Sequence, residues 1–285
     1  MIKIENLSFK YENSENFALE NINLEIKKGD FVGITGHSGA GKSTLTQIIN
    51  TIIPHHFTGD FFGNVKTCNI DTIDGDINEI HKLIGCVFED TDSQFVTTCV
   101  EDELLFPLEN FGFNRDEISK KLEDVINLLG ISNLRKRDLS TLSGGQKQKV
   151  AIACALITDC EVLILDEPTA ELDPASSIMV FNILKKLNEE FGKTIVIVEQ
   201  KIALLFEYCK NILILENGKQ KIFDSCENVA NQYSSLKEMG INIPRYSQIS
   251  VLLKENGLYN GNIAKDLDTA KLVVNTVLNQ LERQV

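Results

Sequence analysis

The segment GHSGAGKS, at residues 36–43, fits the pattern GxxxxGK[ST]. It follows a short apolar run, FVGI at residues 31–34, that is typical of a buried strand. Residues 43–53 after it have the pattern of a helix, which we expect to stop at Pro54. A strand, a glycine-rich loop and a helix in this order predict an α/β protein in which backbone N–H groups and a helix N-terminus bind phosphate.

Two side chains of this loop have predicted chemical roles. Lys42 is expected to reach the β- and γ-phosphates and to act in catalysis, and the hydroxyl of Ser43 is expected to ligate Mg²⁺. Mg²⁺ and a phosphate-bearing ligand are therefore expected at this loop. The residues predicted to contact the phosphates are Gly36, His37, Ser38, Gly39, Ala40, Gly41, Lys42, Ser43 and Thr44.

Composition limits the classes of protein and partner. The chain has 285 residues, 43% of them hydrophobic, which is enough to bury a core. Its net charge of −13 repels the phosphates of nucleic acids, so we expect no nucleic-acid partner. No run approaches the ~20 apolar residues that a membrane span needs, and residues 1–5 lack the features of a signal peptide. We therefore expect contact with a membrane only through partner proteins.

Strand and helix patterns alternate along the rest of the chain. Strand patterns occur at residues 2–9, 22–26, 162–165, 194–198 and 212–215. Residues 96–142 are acidic, carry leucines at helical spacing, and predict a helical subdomain at about residues 96–145. Strand patterns cease after about residue 221. We therefore expect a nucleotide-binding domain with a mostly parallel sheet at residues 1–220 and a helical extension at 221–285.

An acidic pair follows one of the apolar runs. The sequence VLILDEP, at residues 162–168, places Asp166 and Glu167 at the end of a buried strand. Carboxylates there are costly unless they meet a cation or take part in chemistry. We expect Asp166 to hold Mg²⁺, directly or through water, and Glu167 to accept a proton from the attacking water as general base.

The motif LSGGQ stands at residues 142–146, just before a predicted helix. With the phosphate loop before it and the acidic pair after it, this order resembles the nucleotide-binding domain of ABC ATPases, whose signature is LSGGQ. That resemblance implies a P-loop fold with an antiparallel β subdomain, and ATP hydrolysis coupled to transport. It also implies that the signature faces the γ-phosphate bound by another subunit, in a head-to-tail dimer. The signature residues assigned to ATP are Ser143, Gly144, Gly145 and Gln146.

The same resemblance covers other positions, with two departures. Tyr11 sits where the family places an aromatic ring against adenine, and residues 170–173 (AELD) resemble its D-loop, which touches the opposite site. The family has a Mg²⁺-binding glutamine where this chain has Glu89, and a γ-phosphate-contacting histidine where it has Gln200. We expect Glu89 to ligate Mg²⁺, since a carboxylate can do so although it adds negative charge near the phosphates, and Gln200 to take the catalytic place of the histidine. Glutamine donates a hydrogen bond but cannot carry the charge of an imidazolium. We expect slow hydrolysis at this chain's own phosphate loop; the alternative is that Gln200 suffices and both sites work.

Among ABC ATPases the sequence resembles the ATPase subunit of energy-coupling-factor (ECF) importers of vitamins and metal ions. The resemblance rests on VFEDTDSQF at 87–95, VEDE at 100–103 and LKEMGINIP at 236–244, although Thr91 replaces a proline of the group. It implies a second ATPase subunit, in a homodimer or heterodimer, at the cytoplasmic face of the cell membrane. It also implies a transmembrane coupling subunit and a separate substrate-binding membrane subunit.

The coupling helices are expected in a groove near residues 89–95 of the helical subdomain. Four apolar side chains either line this groove or belong to the subdomain core. They are Phe95, Leu104, Leu105 and Phe106.

Three alternatives remain open at this point. A non-ECF ABC transporter ATPase would share the chemistry and differ in its partner. A soluble ABC ATPase acting on ribosomes or DNA usually carries two cassettes or a long coiled coil, and this chain has one cassette and no sustained heptads. A non-hydrolysing regulatory subunit would suit the two departures, but the intact Lys42, Asp166 and Glu167 argue against it.

Overall fold

The strands form one mixed sheet within residues 1–282, the part of the chain that the computed structural model describes. The strands are β1 (Ile2–Tyr11), β2 (Leu19–Ile26), β3 (Phe31–Thr35), β4 (Gly59–Thr67), β5 (Ile70–Asp71), β6 (Ile84–Val87), β7 (Val162–Asp166), β8 (Thr194–Val198), β9 (Asn211–Glu216) and β10 (Lys219–Ser225). Their order in the sheet is β5-β4-β1-β2-β10-β9-β3-β8-β7-β6.

Helices surround this sheet and follow it at the C-terminal end. They are α1 (Lys42–Ile49), α2 (Ile52–His55), α3 (Ile77–Leu83), α4 (Thr91–Gln94), α5 (Val100–Asn110), α6 (Arg115–Leu129), α7 (Gly144–Leu156), α8 (Pro174–Phe191), α9 (Ile202–Tyr208), α10 (Cys226–Asn231), α11 (Tyr233–Glu238), α12 (Arg245–Glu255) and α13 (Leu267–Glu282).

The sheet has a parallel half and an antiparallel half. Strands β9, β3, β8, β7 and β6 pair in parallel, whereas β1 pairs antiparallel with β2 and β4. This confirms the α/β fold with an antiparallel β subdomain. Val198 of β8 pairs with Ile34 of β3 on one side and with Asp166 of β7 on the other. The carboxyl ends of three neighbouring strands therefore meet at one edge, where parallel sheets bind ligands.

Both faces of the parallel half are buried, which explains its continuous apolar runs. In β7, Leu163 and Leu165 pack into the cluster formed with α5 to α9, while Val162 and Ile164 pack into the cluster formed with α1. Because neighbouring side chains point to opposite faces, a strand buried on both sides has no polar position until it ends. The first carboxylates, Asp166 and Glu167, stand at that end.

Helix α1 is shorter than the sequence predicted. We expected it to continue to residue 53 and to stop at Pro54, but it ends at Ile49. Thr51 adopts a left-handed conformation with φ 68°, and the side chain of Asn50 accepts a hydrogen bond from the Ile52 N–H. Asparagine side chains that bond the nearby backbone in this way compete with the helix and end it. A separate short helix, α2, contains Pro54.

Helices α5 and α6 lie in the stretch where we expected a helical subdomain. Helix α6 begins with a capping box, because Asn114 accepts from the Glu117 N–H and Glu117 accepts from the Asn114 N–H. It ends at Gly130, which has a left-handed conformation. Its buried residues are Leu122, Val125, Ile126 and Leu129.

The C-terminal helices are packed onto the nucleotide-binding part. Strand β10 crosses residue 220, where we expected that domain to end, and pairs with β9 as far as Ser225. After it, Val229, Leu236 and Ile243 are buried in the same core cluster as Leu205 of α9. The C-terminal extension therefore shares a core with the sheet.

Candidate functional site

The phosphate loop is closed around the ammonium group of Lys42. Lys42 Nζ donates hydrogen bonds to the carbonyl oxygens of Gly36 and His37, both at 3.0 Å. Gly36 has φ +146°, and a Cβ there would lie 2.1 Å from the carbonyl oxygen of Leu215 in β9. Glycine is therefore required at this position by the backbone conformation and by the close approach of β9.

The N-terminus of α1 follows this loop without a side-chain cap. Gly41 precedes the helix at φ +97°, and a Cβ there would lie 2.5 Å from the carbonyl oxygen of Ala18. Within residues 1–282, no side chain caps α1, and its first turn carries no acidic residue. The first-turn N–H groups are therefore available to an anion, which the helix dipole also favours.

Asp166 ends β7 next to Ser43 of α1. Its Oδ1 atom is buried and has no hydrogen-bond partner in the part of the chain described. Burial raises the pKa of the Asp166 carboxyl above its usual range, and the neighbouring Ser43 hydroxyl opposes that rise. A buried carboxylate oxygen without a partner is costly, and a cation would satisfy it. The donors present at Ser43 and Asp166 therefore fit a hard divalent cation.

Glu167 and Gln200 meet across the carboxyl ends of β7 and β8. Gln200 Nε2 lies 2.8 Å from both carboxylate oxygens of Glu167, and Lys42 Nζ lies 3.9 Å from Glu167 Oε1. The sequence suggested a γ-phosphate contact for Gln200 and gave no sign of this pairing. Glu167 also has φ 46°, a left-handed conformation that is uncommon outside glycine. Its carboxylate is held between a neutral donor and a lysine.

Glu89 lies close to these acidic groups. It lines a cleft together with Glu167, Glu171 and Gly144. Burial, followed by the nearby carboxylates of Glu167 and Asp166, raises the pKa of Glu89. The structure thus brings together the three carboxylates that we assigned to metal binding and catalysis. Within residues 1–282, however, these carboxylates are not grouped closely enough for three of them to hold one metal ion.

The signature residues form the N-terminus of α7. Ser143 Oγ accepts from the Gln146 N–H at 3.4 Å, and Gln146 Oε1 accepts from the Ser143 N–H at 3.1 Å, which makes a capping box. A Cβ on Gly145 would lie 2.9 Å from Ser176 Oγ in α8. Ser143 and Gly144 are exposed. The signature therefore presents an open helix start at the surface.

Tyr11, the residue expected to stack on adenine, lies beside the phosphate-loop helix. Its hydroxyl is 3.1 Å from Thr44 Oγ1, and its ring contacts the rings of Phe9 and Phe57 edge-on. The side chain is partly exposed. The contact with Thr44 places the ring near the phosphate loop, and adenine stacking stays a prediction.

A turn of the C-terminal extension contacts the phosphate loop, which the sequence did not reveal. His37 Nε2 lies 2.6 Å from the carbonyl oxygen of Met239. Because a carbonyl oxygen only accepts hydrogen bonds, Nε2 must carry the hydrogen. Gly240 follows at φ +72°, where a Cβ would lie 3.2 Å from the His37 ring. The only signal was the glycine between two helical patterns.

The four apolar residues of the helical region lie in different environments, some in the core and some in a surface groove. Leu104 is fully buried and belongs to the core, whereas Phe106 is 39% exposed. Phe95 and Phe106 line a surface groove with Val96, which is 65% exposed. Leu105 is partly buried against the core. The groove is therefore lined by Phe95 and Phe106 and not by Leu104.

Comparison with protein families gives one match across this site. The family model described as ABC transporter matches residues 19–170, which contain the phosphate loop, the signature and the acidic pair. A putative ABC transporter ATP-binding protein of Pyrococcus horikoshii is 38% identical over 258 residues, covering 90% of this chain and 91% of the relative. The energy-coupling factor transporter ATP-binding protein EcfA1 of Clostridium novyi is 34% identical over 282 residues, covering 97% of both.

Solved structures agree with these sequence matches. CbiO1 from Clostridium perfringens, part of the ABC transporter complex CbiONQ, has a TM-score of 0.74 and 32% identity over 87% of this chain and 97% of that chain. The ATP-binding cassette MJ0796, solved as a dimer in a post-hydrolysis state with ADP and Pi, has a TM-score of 0.69 and 32% identity, covering 79% of this chain and 99% of that chain. Among the helices of residues 1–282, none combines the length and the apolar character needed to cross a membrane.

Proposed function

Since this chain belongs to the ABC transporter family of ATP-binding proteins and is the ATP-hydrolysing subunit of a transporter, we propose that this transporter is an ECF-type importer of a vitamin or a metal ion. The observation that carries this proposal is the extent of the likeness to EcfA1, which includes the C-terminal extension. The dimeric cassette MJ0796 covers less of the chain. The likeness to CbiO1 supports the same type of complex.

The partners in this proposal are membrane proteins. A transmembrane coupling subunit would insert its helices into the groove of Phe95, Val96 and Phe106, and a separate membrane subunit would bind the substrate. Exposed aromatic side chains in a groove are suited to an amphipathic helix. The ATPase would then work at the cytoplasmic face of the membrane without entering it.

Purification of the full chain with its native membrane partners tests the type of transporter. Recovery of a small coupling subunit that lacks a substrate site of its own, together with a separate binding subunit, is the expected result. Phe106→Asp should abolish this recovery without changing nucleotide binding, whereas Leu258→Asp, at a similarly exposed apolar residue of the C-terminal extension, should not. Recovery of a transmembrane subunit that binds substrate directly would instead indicate a non-ECF transporter.

The geometry at the sheet edge supports a proposed role for each residue of the site. In this proposal Lys42 and the first turn of α1 bind the phosphates, and Tyr11 stacks on adenine. Ser43 and Asp166 hold Mg²⁺, with Glu89 close by, and this assignment is supported by the unpartnered Asp166 Oδ1. Mg²⁺, when bound with ATP, supplies charge neutralisation at the phosphate oxygens.

Proton transfer is assigned to Glu167. Its carboxylate accepts the proton of the attacking water, and the Gln200 amide and Lys42 keep the carboxylate oriented. General-base catalysis contributes typically 10²–10⁴-fold to a rate. Loss of that factor in Glu167→Gln, with ATP binding retained, would support the assignment.

The signature serves a second subunit in this proposal. Ser143, Gly144, Gly145 and Gln146 form a helix start whose first residues are exposed at the surface, which suits the γ-phosphate held by another copy or by a related ATPase. The MJ0796 cassette forms a dimer, which supports such an assembly here. With Glu89 and Gln200 in its own pocket and a complete signature for its neighbour, this chain would form two unequal ATP sites in a heterodimer.

A further inference from the structure

The loop after β8 is hydrogen-bonded to the segment that follows Glu167. Lys201 Nζ donates to the carbonyl oxygens of Thr169 at 2.6 Å and Leu172 at 3.2 Å, and to Ser177 Oγ at 2.9 Å. An ammonium group has three donors, so this arrangement uses all of them. Ser177 lies in the first turn of α8 and is 1% exposed. Lys201 therefore links the loop after β8 to the loop after β7 and to the first turn of α8.

The carboxylate of Glu199 joins the same two loops by further hydrogen bonds. Glu199 is 1% exposed, and its Oε1 accepts from the N–H groups of Gln200 at 2.9 Å and Lys201 at 3.0 Å. Its Oε2 accepts from the Thr169 hydroxyl at 2.5 Å. A buried carboxylate is tolerated when it accepts several hydrogen bonds in this way. Thr169 is thus held by its hydroxyl and by its carbonyl oxygen, from two neighbouring residues.

The conformation of Glu167 needs such fixation. A non-glycine residue with φ 46° keeps that conformation only where the surrounding structure determines it. The Glu167 N–H donates to the Val198 carbonyl oxygen at 2.9 Å, and the Glu167 carbonyl oxygen accepts from the Ala170 N–H at 3.1 Å. Two residues after the base, Thr169 is then held by Lys201 and Glu199. The segment that carries the base is therefore attached to β8 at Glu167 and to the loop after β8 at Thr169.

We infer that Lys201 is a positioning residue for ATP hydrolysis, which keeps the Glu167 carboxylate within reach of the Gln200 amide. In this inference Lys201 acts on the reaction through this pair and does not itself touch ATP. The inference rests on the proposed role of Glu167 as general base, and it does not depend on the type of transporter. Its direct consequence is that losing Lys201 lowers kcat and leaves KM for ATP nearly unchanged, because the phosphate loop is intact.

The first test compares two lysines at opposite ends of β8. Lys201→Met should lower kcat about tenfold, with KM for ATP within about twofold of the wild-type value. Lys193→Met is the matched control, because Lys193 Nζ also bonds a carbonyl oxygen, that of Cys160, and the carboxylate of Asp159, both at 2.6 Å. It precedes β8 and should keep the wild-type kcat. A wild-type kcat in folded Lys201→Met would overturn the inference.

A double-mutant cycle with Gln200→Ala separates positioning from a general structural effect. If Lys201 acts through the Glu167–Gln200 pair, Lys201→Met should lower kcat by less than about twofold once Gln200 is alanine. Two losses that multiply would show that Lys201 acts independently, and the inference would be wrong. Should thermal melting show that Lys201→Met is unfolded, Ser177→Ala replaces it in the cycle. That variant removes one acceptor and should lower kcat about threefold; a wild-type kcat there counts against the inference.

Glu167→Gln in the same assay distinguishes failure of the base role of Glu167 from failure of the positioning role of Lys201. Full activity of Glu167→Gln would remove the base assignment, and the role of Lys201 with it. Inactive Glu167→Gln together with fully active Lys201→Met would leave the base in place and overturn only the positioning role.

Discussion

Gln200 donates its side-chain amide to both carboxylate oxygens of Glu167, with Nε2 at 2.8 Å from each. The amide is neutral, so it orients the carboxylate without neutralising its charge. The nearest lysine, Lys42, has its Nζ at 3.9 Å from Glu167 Oε1. Substitutions at position 200 should therefore act on the base as well as on the phosphates.

Gln200→His should raise kcat several-fold. An imidazolium can still donate to Glu167 and adds positive charge where the transition state develops negative charge. Because glutamine already supplies a hydrogen bond, we expect less than the roughly 10²-fold that a complete transition-state donor contributes. Gln200→Glu is the control of equal shape. It places a second carboxylate against Glu167 and should lower kcat at least about tenfold at pH 7. An unchanged or lower kcat in Gln200→His would show that glutamine at position 200 does not slow ATP hydrolysis.

Glu167→Gln should lower kcat by roughly 10²-fold or more while ATP still binds, since the amide cannot accept the proton. Steady-state hydrolysis and equilibrium binding of ATP measure the two effects separately. Glu161→Gln, at the opposite end of β7, serves as control, because Glu161 is paired with the exposed Lys28 at 2.9 Å. It should hydrolyse ATP as the wild type does. Equal loss in both variants would point to damage to β7 and not to the base.

Glu89→Gln should stabilise the protein at pH 7 and not near pH 4. Burial and neighbouring carboxylates raise the pKa of Glu89 in the folded protein above its unfolded value. Protonation therefore favours folding below the unfolded pKa, and this contribution is lost as the pH rises through the folded pKa. Because Glu89 is exposed, the gain in Tm at pH 7 should be only about 1–2 °C.

Thermal melts of Glu89→Gln and wild type at both pH values measure this difference. Glu171 lines the same cleft, so the Tm of Glu171→Gln shows the effect of removing one negative charge there. A gain in Tm for Glu89→Gln that is as large at pH 4 as at pH 7 would contradict the proposed cause. The variant should also bind ATP more tightly at pH 7, because one negative charge near the phosphates is gone.

Gly240→Ala should weaken ATP binding, whereas Gly257→Ala should not. Both glycines have positive φ, +72° and +70°, so alanine strains both backbones by about 1 kcal/mol. Only at Gly240 does the new Cβ meet the ring of His37, at 3.2 Å, while the space around Gly257 is open. We expect the two variants to lose the same amount of Tm. The Kd for ATP should rise about threefold in Gly240→Ala alone. An equal Kd in the two variants would show that the contact between Met239 and His37 does not affect the phosphate loop.

The two glycine-rich motifs before helices could be predicted from the sequence alone. GHSGAGKS and LSGGQ each place a glycine-rich turn before a helix, and their N–H groups come from consecutive residues. The acidic pair was equally clear, because an apolar run that ends in two carboxylates shows where a strand leaves the core. The helix after the phosphate loop was placed too long, since an asparagine bonding its own backbone ended it before the proline did.

The contacts between distant segments depended on the tertiary structure. Gln200 reaches Glu167, 33 positions away, because β8 lies beside β7 and both strands end at the same edge. Met239 reaches His37 across 202 positions because the C-terminal helices pack into the core next to α9. Lys201 holds the segment after Glu167 because β8, which it follows, pairs with β7. A phosphate loop uses hydrogen-bond donors that are neighbours in the chain, so local sequence specifies it, whereas the orientation of a catalytic side chain depends on which strands and helices become neighbours in space.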